Sequence, residues 1–174
     1  VAARHQVAGL AGLAGLEAWS LTGAEVREVA KAVQKARTTM DAALARIAGA
    51  ADEMGLAADD GATSTTAWLA NLTGIHKGEA AKLVGLSRVT TELTGAAWIS
   101  GEVTTDQASV IMKAIHGLPD WVGDTERADA ETHLLSLAAD HHLDDLKRLA
   151  NHVLEVIDPD GADELLGKKL LAEE

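Results

Sequence analysis

The chain has 174 residues, with 15 basic side chains against 27 acidic ones, and the resulting formal charge of −12 opposes non-specific attraction to nucleic acid or anionic lipid. It contains no cysteine, which excludes disulfides and cysteine-ligated zinc, and no apolar run near the roughly 20 residues that cross a bilayer. A membrane partner is therefore not expected, and the cytoplasm is the expected location. With no Phe, no Tyr and four Trp, one core must be filled by Ala, Leu, Val and Ile, a mixture that suits closely packed helices better than sheets.

Residues 1–22 read as a weakly structured or short-helix lead-in, because Gly9 to Leu16 repeats Gly-Leu-Ala and each glycine costs a helix about 1 kcal/mol relative to alanine. Thr22 and Glu25 have the spacing of a capping box and should start a long helix. That helix occupies 23–60, running from about Gly23 to Ala57 and ending in Asp59-Asp60-Gly61. Apolar or small residues recur along it at Val26, Val29, Val33, Ala36, Met40, Ala43, Ile47, Ala50 and Met54, an alternation of three and four that keeps one stripe on one side. Either another helix of the chain or a second copy must cover that stripe. Val26, Val29, Val33, Met40 and Ile47 are its candidate packing residues.

A compact bundle is expected over 61–161. Ser64 or Thr65 should cap a short helix carrying Trp68, Leu69 and Leu72, stopped at Thr73-Gly74, and a second helix should run from His76 or Lys77 to about Leu93. The pair with its tight turn is helix-turn-helix-like. A short turn over Ala96 to Ile99 holds Trp98, after which Thr104 or Thr105 caps a helix from Asp106 to His116 with Ala108, Ile111, Met112 and Ile115 inward. Further helices are expected from about Thr125 to Ala139 and from Leu143 to Ile157, followed by turn chemistry at Asp158-Pro159-Asp160-Gly161. Residues 162–174 have helical composition and no stop signal, as expected of a further helix or linker in a longer design.

No catalytic residue emerges from this pattern. The serines lack a strand-turn-helix elbow, and the glycines form no phosphate loop. His133, His141, His142 and His152 gather with Asp140, Asp144 and Asp145, yet their spacing matches no metal motif; His142 and Asp144 suit the start of the helix at Leu143. Neither a metal site nor a cofactor is expected in this chain. Asn151-His152 lies inside a leucine-rich helical pattern, whereas an HNH nuclease site needs histidines on a hairpin and helix around one metal. For nucleic acid, the helix-turn-helix-like pair would offer Lys77, Lys82 and Arg88 to phosphates or base edges, although the same pair is accounted for by packing through Trp68 and Leu83. A second basic stripe of Arg27, Lys31 and Lys35 has glutamates beside it and suits a solvated face.

The landmarks Trp68-Leu69, Thr73-Gly74-Ile75, Gly78-Glu79-Ala80, Gly101-Glu102-Val103-Thr104 and Gln107-Ala108, then Leu118-Pro119 and Asp158-Pro159-Asp160-Gly161, occur in a distinctive order. In that order the chain resembles the helical domain of the actinobacterial 13E12 repeat family, domain of unknown function 222, which usually precedes an HNH endonuclease module. The residues predict an all-α bundle of about six or seven helices with one long N-terminal helix, non-catalytic by itself, and the resemblance implies that it serves dimerisation, positioning of the nuclease module or DNA association. Its implied partners are DNA, a second copy and its own C-terminal nuclease module, with a divalent metal only if that module follows. The competing expectation is a structural or interaction protein that dimerises through the heptad stripe with no nucleic-acid role.

Overall fold

A computed structural model describes residues 17–157. Within them a 3-10 turn, Ala18–Ser20, precedes eight α-helices: α1 (Gly23–Glu53), α2 (Leu56–Asp59), α3 (Thr65–Thr73), α4 (Lys77–Val89), α5 (Glu92–Ser100), α6 (Thr105–His116), α7 (Asp124–Asp140) and α8 (Leu143–Ile157). The fold is all-α, and no strand occurs among the described residues. The Gly-Leu-Ala segment, the turn expected at 158–161 and the tail at 162–174 lie outside those residues. Contacts divide the chain into two units, Val1–Gln34 and Lys35–Glu174.

In the first unit the capping box forms as its spacing demands. The Thr22 amide donates to the Glu25 carboxylate at 2.8 Å, and the Glu25 amide returns a bond to the Thr22 hydroxyl at 3.3 Å. Two of the four donors left over at the start of α1 are thereby satisfied. The bond from the Thr22 amide, then one that the Thr22 hydroxyl donates to the same carboxylate oxygen at 2.8 Å, hold the Glu25 carboxyl below its ordinary value.

In the second unit α6 lies at the centre, packed against α4, α5, α7 and α8, with Ala108, Ile111, Met112 and Ile115 buried. Leu134 of α7 and Leu146 of α8 complete the core. Thr104 and Gln107 make the capping box of α6, and Ser64 caps α3 by accepting from the Ala67 amide at 3.1 Å. Arg127 of α7 closes the loop after α6 by donating to the carbonyls of Ile115, Leu118, Pro119 and Val122 at 2.6–3.0 Å. Four peptide oxygens at and after the helix end thus share one planar donor, those of Ile115 and Pro119 also accepting from the Leu118 and Val122 amides.

Two boundaries differ from the sequence reading. The long helix stops at Glu53, not near Ala57, because Gly55 adopts a left-handed backbone (φ 72°) and α2 begins afresh. Likewise α4 stops at Val89, and the stretch read as a turn around Trp98 is part of a full helix, α5, capped by the Thr91 hydroxyl. These two short helices, α2 and α5, raise the helix number above that expected from periodicity.

Candidate functional site

The helix-turn-helix-like pair exists, with α3 packed on α4 and Gly74 (φ 74°) turning the chain between them. Its recognition-helix side is largely occupied. Lys82 pairs with Asp106 at the start of α6, and Arg88 donates from Nε and an amino nitrogen to the Asp52 carboxylate at 3.1 and 2.8 Å. Asp52 also accepts from the Thr65 hydroxyl, and that bond, then the Arg88 bonds, hold its carboxyl below the ordinary value of 3.8. Of the three candidate bases only Lys77 makes no hydrogen bond or ion pair among the described residues. Trp68 and Leu83, the apolar alternative in the sequence, are both core residues, and the Trp68 indole donates to Asp60 at 2.7 Å.

Two members of the second basic stripe are locally satisfied. Arg27 donates to the Gly23 carbonyl at 3.0 Å, and Lys31 pairs with Glu28 at 3.1 Å. Lys35 lays its stem where a side chain on Gly101 would otherwise lie.

The outer face of α1 is different in kind. Successive helical residues turn by roughly 100°, so Thr38, Ala42, Ala45 and Ala48 share one side, and all are buried. Met40, Ala43, Ile47, Ala50 and Met54 share the opposite side. There Met40 is 45% exposed, Ile47 58% and Met54 68%, and Ala43 and Ala50 are exposed as well. The helix therefore has two apolar faces, one of alanines against the bundle and one of larger side chains against water. The repeat continues in sequence to Val33 and Val26, exposed at 44% and 45%, while Val29 is half-buried. Beside the outer face of the second unit runs an open groove of about 540 Å³, floored by Ala45, Gly49, Gly95 and Ala96 and edged by Arg46 and Glu53. Neither Arg46 nor Glu53 has an ionic or hydrogen-bonding partner among the described residues.

The late histidines do not converge, and among the described residues no three His, Asp or Glu side chains are grouped to hold a metal. His141 lies 3.0 Å from the Leu137 carbonyl at the end of α7. Asp144 and Asp145 sit in the first turn of α8, each paired three residues on, with Lys147 at 2.9 Å and Arg148 at 2.6 Å. The Lys147 bond, then its charge, lowers the Asp144 carboxyl.

A buried carboxylate escaped the sequence reading. Glu131 of α7 is 3% exposed and accepts from the Thr94 amide at 3.0 Å, the Thr94 hydroxyl at 2.6 Å and the Thr91 hydroxyl. It reinforces the N-terminus of α5, where a negative group is favoured by the helix dipole. Every acceptor bond serves the cap, so the arrangement is structural rather than reactive.

No curated protein and no solved structure matches the chain. Residues 24–168 match a family described as a domain of unknown function, DUF222. The match takes in all eight helices except the first residue of α1, so the ordered landmarks in the sequence and the bundle that they build belong together: the chain is a member of the domain of unknown function 222 family.

Proposed function

We propose that this domain is a non-catalytic self-association module, in which two copies pair through the outer face of α1. The observation that supports this reading is the apolar heptad stripe at Met40, Ala43, Ile47, Ala50 and Met54, exposed on a helix whose other side is already buried. A stripe of period 3.5 is the pattern by which one helix meets another, and covering it would remove several large side chains from water at about 25 cal/mol per Å². Any HNH nuclease module in the same polypeptide would then be presented in pairs, and a divalent metal enters the reading only through such a module. Light scattering across a dilution series tests the proposal. The wild-type chain should pass from dimer to monomer, and Ile47→Glu should be monomeric throughout with unchanged helical content. A wild-type monomer at every concentration would remove the reading.

DNA association through α4 has less support, since Lys82 and Arg88 would have to leave Asp106 and Asp52. Charge reversal at Lys77, Lys82 and Arg88 should weaken any DNA binding and flatten its salt dependence. Unchanged binding would eliminate this surface.

A further inference from the structure

Resting on the self-association reading, we infer that the two copies run antiparallel along the second half of α1, with the two-fold axis between residues 48 and 49. Two independent features fix this arrangement. The first is size. Along the exposed stripe a large side chain alternates with alanine, as Met40, Ala43, Ile47, Ala50 and Met54. Parallel pairing would stack methionine on methionine, isoleucine on isoleucine and alanine on alanine, giving overfilled and empty layers in turn. Antiparallel pairing about this axis sets Ile47 against the partner's Ala50, and Ala43 against the partner's Met54, so each of these layers holds one large and one small side chain, while Met40 lies outside the paired stretch. The Met54 amide still bonds to the Ala50 carbonyl at 3.0 Å, which keeps Met54 in helical register beyond the end of α1.

The second feature is charge. Arg46 and Glu53 lie seven residues apart on one flank of the stripe, both exposed and both without an ionic partner among the described residues. In the proposed register Arg46 meets the partner's Glu53, and symmetry repeats the pair. Sliding one heptad in one direction would set Arg46 against the partner's Arg46. Sliding one heptad in the other would set Glu53 against the partner's Glu53. Both neighbouring registers therefore bring like charges together. The surface is thus self-complementary at one position only among these three registers.

Sedimentation equilibrium on the wild type, Arg46→Glu, Glu53→Arg and the double exchange tests the register. Each single variant replaces two attractive pairs with two repulsive ones and should raise the dimer dissociation constant by roughly ten-fold, and the double exchange should restore it. The absence of native cysteine makes disulfide trapping unambiguous. Ala43→Cys mixed with Met54→Cys should give a crosslinked heterodimer, whereas Met40→Cys alone should give none, its sulfurs being far apart in an antiparallel pair. A dimeric wild type that is indifferent to both single reversals, or self-crosslinking of Met40→Cys, would overturn the antiparallel register while leaving self-association standing. A wild type that stays monomeric overturns both.

Discussion

Glu131 shows how much one side chain can hold in place. Three donors from Thr91 and Thr94 converge on its carboxylate; after Glu131→Ala the Thr94 amide would keep the Thr91 hydroxyl at 3.3 Å, but the buried Thr94 hydroxyl would be stranded. Each stranded polar group costs about 1–3 kcal/mol, and the substitution should lower stability by at least that much, read as a fall in the urea midpoint. Asp52 acts differently because it stays partly exposed. Its folded-state carboxyl titrates below 3.8, since the Thr65 hydroxyl and Arg88 favour the charged form. Its contribution is therefore complete above that value and is lost as the pH falls through the lower, folded-state value. Asp52→Asn should lower thermal stability at neutral pH and make the acid limb of the stability profile shallower below about pH 3.8. Glu25 and Asp144 shift in the same direction, so part of the acid sensitivity should survive.

At the scale of elements, local chemistry was largely readable. Thr22 with Glu25 caps where the spacing says, and of the alternatives Ser64 or Thr65 and Thr104 or Thr105 the first of each is the cap, because a cap needs only neighbours three residues away. What escaped depended on distant partners. The sequence Thr90-Thr91-Glu92 reads as the end of one helix, and only the packing of Glu131, 37 residues beyond Thr94, reveals the start of another. The two flanks of α1 were similarly ambiguous. Period alone marks an apolar stripe at Met40 and Ile47, but burial shows that the bundle uses the alanine side instead. Arg46 and Glu53 became candidates only once the structure showed them unpaired. The glycines after α3 and α5 offer a direct comparison, both having φ 74°. Gly74→Ala meets no neighbouring atom and should cost about 1–2 kcal/mol for the left-handed backbone. Gly101→Ala should cost more, because its Cβ would fall 2.5 Å from the Lys35 Cγ. Adding Lys35→Ala, which removes that carbon, should recover part of the difference in a double-mutant cycle.

For the whole molecule, net charge sets the background against which any pairing occurs. Two chains of −12 each repel one another over long range, and screening shortens that repulsion to about 8 Å at 0.15 M salt. The dimer should tighten between low and moderate salt, since relief of that repulsion outweighs the weakening of two exposed ion pairs. Nucleic-acid binding would change in the opposite direction, so a salt series separates the two activities. The four tryptophans supply an optical readout for such experiments. Trp68 and Trp98 are buried, whereas Trp19 is 83% exposed and Trp121 70%. With no tyrosine in the chain, near-ultraviolet emission comes from these indoles alone. A water-soluble quencher should extinguish one pair and spare the other, giving every sample an internal reference: brightening or dimming of the shielded pair reports the opening of the bundle itself, whatever the copies are doing to each other.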